Sequence, residues 1–105
     1  LPIAGNDKND YCDDEAIMDA YRKDKLVHDR WPARTVSLYL EIGYLLETNT
    51  VEFPMPVLLQ HAKDDELTPA AFIEKWFTER VKSSKKTLKM WPTTSHELHH
   101  DLKRK

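Results

Sequence analysis

Residues 95–102, "SHELHHDL", gather three of the five histidines beside a glutamate and an aspartate. Taken literally, His96-Glu97-Leu98-His99-His100 is an H-E-x-x-H string. On a helix such a string presents two imidazoles to zinc, with the glutamate as general base. That chemistry also needs an established helix and a third ligand. Here Pro92-Thr93-Thr94 breaks the chain just before His96, and only Asp101 follows as a further ligand. His28 and His61 lie elsewhere, and nothing in the sequence fixes them at such a site. A zinc protease is the remote alternative. The other reading takes His96 alone, as a general base whose tautomer a buried carboxylate fixes. Asp65, within Asp64-Asp65-Glu66, is the carboxylate that fits. The plain alternative is an acidic turn and a histidine at a helix start, and spacing alone leaves both open. Of His99 and His100, one is expected to be packed and one solvated.

The elements around these residues decide whether they can meet. "LPIAGNDKNDYC" carries Pro, Gly and Asn without periodicity and reads as loop. Asp13 or Asp14 can cap a helix through about residue 23, with Ile17, Ala20 and Tyr21 on one face. "KLVHDRW" is a short connector. Pro32 suits the first position of a helix over about 32–48, whose apolar residues cover more than one stripe and imply burial on two sides. Val57-Leu58-Leu59 is an apolar run with the pattern of a strand buried on both faces. Thr68-Pro69 pairs a hydroxyl cap with proline and starts a helix to about residue 81, presenting Phe72, Ile73, Trp76 and Phe77 inward. Residues 85–91 form a second strand, and a last helical turn begins near Glu97.

Strand, helix and strand in this order make a crossover with parallel strands. The C-terminal ends of both strands then share one edge of the sheet, where ligand sites collect. Asp65 follows the first strand and His96 the second. Neighbouring strands lie about 5 Å apart, so the two loops bring carboxylate and imidazole within reach.

At 105 residues the chain is at most one domain. Its 40% hydrophobic content and three tryptophans indicate a globular protein rather than a disordered one. A net charge of −2 and a pI near 6.2 give no electrostatic case for nucleic acid or an anionic membrane. The short basic runs "KSSKK" and "KRK" read as solvated surface and chain end. Cys12 cannot form an internal disulfide, and the neighbouring Asp13 and Asp14 argue against a reactive thiolate. No apolar run has the length of a membrane span, and no signal peptide is visible. A cytoplasmic location, with at most peripheral membrane contact, is expected. The first residue is Leu rather than Met, which suggests a piece of a longer protein.

Three stretches carry a family resemblance. "PVLLQHAKDDELTP" resembles the P-x-L-x-x-H-G-x-x-D segment of the α/β-hydrolase superfamily. "KTLKMWPTTSHELHHDL" is similar to its K-T-L-K-x-Y-x-x-x-x-H-E-L-H-x-E segment, and "YRKDKLVHDR" to a Y-x-x-D-P-L-V-H segment. Together they point to the monoacylglycerol lipase and lysophospholipase branch, over roughly residues 21–30 and 53–102. The resemblance implies an α/β fold, of which this chain is the C-terminal part. Residues 1–31 would be a lid-exit loop and short helix, and residues 32–105 the end of the hydrolase core, including a βαβ unit.

Carried over by position, the resemblance makes Asp65 the triad acid and His96 the general base. His61 matches the family's strand-end histidine, Ala62 stands at its usual glycine and Lys25 at its usual proline. The nucleophile is missing. Neither Gly5 nor Gly43 belongs to a G-x-S-x-G elbow, and Ser37, Ser83, Ser84 and Ser95 have no such context. The implied function is the acid–base part of a serine hydrolase acting on acyl esters of monoacylglycerol or lysophospholipid type. No cofactor or metal is implied. The rival is a non-catalytic hydrolase piece that binds a partner or itself. A cut sheet would also leave the strand edge at 57–59 open, to be paired by a second copy or by the rest of a larger hydrolase.

Overall fold

The computed structural model describes residues 2–4 and 11–105. The elements follow in the order β1 (Pro2–Ala4), α1 (Glu15–Lys23), β2 (Arg30–Pro32), α2 (Ala33–Thr48), β3 (Val51–Glu52), β4 (Val57–Ala62), α3 (Ala70–Glu79), β5 (Val81–Lys82) and β6 (Lys86–Trp91). A single 3₁₀ turn, Leu98–His100, closes the chain. Helices and parallel strands alternate through the second half, as the resemblance implied.

The parallel pair that matters is β4 with β6, in register from Val57 opposite Lys86 to Ala62 opposite Trp91. Helix α3 makes the connection between them. A shorter parallel pair, β3 with β5, extends the same crossover at its start. Its two-residue strands are too brief to leave a periodicity, and the sequence reading missed them. The opening loop and the connector are also corrected at two points. Pro2–Ala4 pairs antiparallel with Arg30–Pro32, so each contributes a strand. The rest of the opening stretch before Tyr11 lies outside the described residues.

Helix α1 begins as expected. The Asp14 carboxylate accepts from the N–H groups of Ala16 and Ile17. Its buried residue is Met18 rather than Ala20, which is exposed. Pro32 caps α2 from outside the helix instead of opening it. Burial of α2 on two sides is not observed, because none of its residues is buried among the described neighbours. Trp31 and Tyr39 pack their rings at 5.1 Å where the β1–β2 ribbon meets this helix.

Helix α3 buries Phe77 and half-buries Ile73 and Trp76, whereas Phe72, expected inward, is exposed. Its end is secured from β6. Lys86 Nζ donates to the carbonyls of Phe77, Thr78 and Val81 at 2.8–3.0 Å, completing acceptors that a helix terminus leaves open. The core is small, formed by Met18, Ala62, Phe77 and Val81. Ala62 fits without strain where the family carries glycine, since no described non-glycine residue has positive φ. No helix among the described residues is long and apolar enough to cross a membrane.

Candidate active site

Strand β4 ends at Ala62, and the loop beyond it folds around one carboxylate. The Asp65 side chain is 1% exposed. Its Oδ1 accepts from the backbone N–H groups of Leu67 at 2.8 Å and Thr68 at 3.1 Å, the closed turn that aspartate forms with residues two and three ahead. Its Oδ2 accepts from the Thr68 hydroxyl at 2.9 Å. Thr68 was expected to cap α3. Instead Pro69 holds the cap position with no side-chain hydrogen bond, and the hydroxyl serves the carboxylate. His61, at the strand's end, donates from Nε2 to the Thr68 carbonyl at 2.7 Å and lies 3.5 Å from Oδ2. Thr68 is thus gripped from both sides, and with it the turn that aims Asp65.

His96 reaches the same oxygen from the loop after β6. Nδ1 lies 2.8 Å from Asp65 Oδ2, inside the range of about 2.6–3.2 Å for a working acid–base contact. A carboxylate only accepts, so Nδ1 carries the proton and Nε2 keeps its lone pair. The side chain is 33% exposed. Tyr11 packs edge-on to it at 6.2 Å, and the Tyr11 carbonyl accepts from the Glu97 N–H at 2.8 Å.

A polar cluster, with Ser95 and Asp101 buried, holds this loop. The Ser95 hydroxyl, 1% exposed, donates to Asp13 Oδ1 at 3.0 Å, and the same oxygen accepts from the Leu102 N–H at 3.0 Å. Thr93 donates its hydroxyl to Asp101, whose other oxygen accepts from the Lys103 N–H at 2.6 Å. Arg104 pairs with Asp14 at 2.9 Å. The segment before α1 therefore clamps both ends of the loop that carries His96. Sequence reading gives Asp13 and Asp14 a capping role and an influence on Cys12, and no part in holding this loop. Contacts across more than 80 positions leave no local signature.

Three carboxyls here sit below their ordinary range, Asp14 chiefly through its hydrogen bond from Arg104. Burial by itself would raise Asp65, but the hydrogen bonds from the Thr68 N–H, His96, the Thr68 hydroxyl and the Leu67 N–H outweigh it. The Thr93 hydroxyl, then the Lys103 N–H, hold Asp101 low. A folded pKa below the unfolded one stabilises the fold fully above the unfolded value of about 3.9, and that share is lost as pH falls through the folded value. Amide exchange should therefore be steady for residues 65–68 and 93–103 down to about pH 5, then lose protection below about pH 4. Protection unchanged to about pH 2 would contradict the assignment of these carboxylates as the acid-sensitive ties.

The zinc-protease string has no helix to occupy. Leu98–His100 is one 3₁₀ turn, and Glu97 before it has φ −91° and ψ 86°. His96 Nδ1 faces Asp65, while His100 Nδ1 faces Glu97 at 2.6 Å. His99 is exposed and His100 half-buried. Burial is the main cause that pushes the Cys12 thiol up, with the carboxylates of Glu97, Asp14 and Asp13 adding to it. A 700 Å³ cleft lined by Phe53, Val81 and Ser83 among others lies before the starts of β4 and β6. That is the sheet edge opposite Asp65 and His96.

Comparison with known proteins shows the family. The model of the serine aminopeptidase S33 family matches residues 1–103. The chain belongs to this α/β-hydrolase family. Within it, an uncharacterized abhydrolase domain-containing protein of Dictyostelium discoideum is 36% identical over 91 residues. That match takes in 85% of this chain and 10% of the relative. A monoacylglycerol lipase of Mycolicibacterium smegmatis is 26% identical over 106 residues, across 100% of this chain and 38% of the lipase. The S33 chain described here therefore spans well under half the length of either relative.

Proposed function

We propose that this chain is the acid–base segment of a serine hydrolase that cleaves carboxylic esters, with Asp65 as the orienting acid and His96 as the general base. The observation that carries the reading is the 2.8 Å contact from His96 Nδ1 to a buried, ionised Asp65, which leaves the Nε2 lone pair uncommitted on a one-third-exposed side chain. A serine hydroxyl supplied from outside these 105 residues would give its proton to Nε2 as it attacks the acyl carbonyl. His96 would then return that proton to the leaving alcohol, while Asp65 stabilises the imidazolium between the two steps. Esters of monoacylglycerol or lysophospholipid type are the proposed substrates, and the relative named a monoacylglycerol lipase supports an ester over a peptide bond.

Base and orienter alone form no acyl-enzyme. The 105-residue chain should be inert towards short p-nitrophenyl esters and unlabelled by a fluorophosphonate, while a longer protein carrying the serine elbow is labelled stoichiometrically. Ser95 is adjacent to His96 in sequence, but its hydroxyl is buried on Asp13. Labelling of Ser95, or of Ser37, Ser83 or Ser84, would overturn the placement of the nucleophile elsewhere. A second reading, a non-catalytic module that binds a partner or itself, draws on the open strand edge of β4. It predicts that supplying the missing serine segment yields a folded assembly without hydrolysis.

A further inference from the structure

Glu97, His99 and His100 have no part in the mechanism above, yet they form a group of their own. Their candidate ligand atoms all lie within 4.8 Å of one another. The cause is local. In a 3₁₀ turn residues three apart eclipse, which brings Glu97 Oε2 to 2.6 Å from His100 Nδ1. The His99 ring then lies against the His100 ring with centroids 4.1 Å apart. Glu97 and His100 are each about one-third exposed, and His99 is solvated, so an ion can reach the group and keep water on its open side.

We propose that Glu97, His99 and His100 form a surface site for a divalent transition-metal ion such as Zn²⁺ or Ni²⁺. Two imidazoles and one carboxylate suit these ions better than Mg²⁺ or Ca²⁺, which take oxygen ligands. At metal–ligand distances of about 2.0–2.2 Å, tetrahedral ligand atoms sit roughly 3.3–3.5 Å apart. The 2.6 Å pair must therefore open by less than about 1 Å and the widest pair close by a little more than 1 Å. Both are within the reach of side-chain torsions on one turn. When the ion takes His100 Nδ1, the ring's proton moves to Nε2, so the neutral imidazole offers its Nδ1 lone pair. This differs from the literal zinc-protease pattern. Glu97 is a ligand rather than a base, His99 replaces His96, and His96 stays on Asp65.

The test titrates the 105-residue chain with Zn²⁺ by calorimetry, beside His99→Ala, Glu97→Gln and His96→Asn. One ion per chain is expected, with affinity reduced about tenfold or more by His99→Ala and by Glu97→Gln, and unchanged by His96→Asn. Paramagnetic Ni²⁺ added to the unsubstituted chain should broaden the ring protons of His99 and His100 first, which locates the ion without a variant. Absence of binding up to millimolar Zn²⁺ would overturn the proposal. So would broadening centred on another histidine, or loss of binding in His96→Asn, which would restore the H-E-x-x-H pairing.

Discussion

Joined to a segment that carries the nucleophilic serine, Asp65→Asn should lower ester hydrolysis by about 10⁴-fold while leaving the loop folded. The asymmetry of the Asp65 contacts explains both parts. Oδ1 accepts two backbone N–H groups, from Leu67 and Thr68, so an asparagine would keep its carbonyl oxygen there. Its amide N–H₂ would then face His96 in place of Oδ2. Two donors cannot bond, and the imidazole would move its proton to Nε2, where the serine proton has to arrive. The wrong tautomer would be fixed. Asp65→Ala is a different experiment. It strips the acceptor from the Leu67 and Thr68 N–H groups, the Thr68 hydroxyl and His96 together. Each buried donor left without its acceptor in this way costs about 1–3 kcal/mol, together enough to melt the loop of so small a chain. Nitrogen NMR of His96 reads the tautomer directly, and it can be done on the 105-residue chain. Activity within about tenfold of the parent in Asp65→Asn, with Nδ1 still protonated, would remove Asp65 from the mechanism.

The dyad was legible because it rests on two short-range features and one rule. Val57-Leu58-Leu59 and residues 85–91 read as strands from composition, and parallel crossovers put their C-terminal ends on one edge. The motif then selected Asp65 from three adjacent acids. Composition did not indicate what Thr68 does. A threonine before proline fits a helix cap so well that its alternative use, on a carboxylate three residues upstream, leaves no separate trace. The Asp13–Ser95 and Asp14–Arg104 contacts were out of reach for another reason, since long-range polar pairs have no periodicity. The two-stripe pattern of α2 implies burial on two sides, a demand for two partners. Among the described residues that demand is not met, since no residue of the helix is buried.

That unmet demand leads to the second large effect, which is that these 105 residues on their own should self-associate. Parallel sheets are normally covered on both faces and built from more than two strands. Among the described residues β4 pairs with β6 alone, so its other edge offers unpaired backbone groups beside Leu58, itself 60% exposed. The surface of α2 adds Tyr39, Leu40, Ile42, Tyr44 and Leu45, each at least half exposed on a helix with no buried residue. Full burial of one such side chain stabilises by about 1.5–3 kcal/mol, and this much exposed apolar surface drives association. An open strand edge directs it, because a second copy of β4 can satisfy the same hydrogen bonds that the rest of a hydrolase sheet would. Sedimentation velocity should show species larger than the 12.4 kDa monomer, growing with concentration. Leu58→Lys places a charge on the edge and should weaken association about tenfold or more, equivalent to roughly 1.4 kcal/mol. Leu40→Lys tests the helix face separately, and the larger of the two effects identifies which surface leads. A concentration-independent monomer whose β4 amides exchange freely on the side away from β6 would refute the prediction.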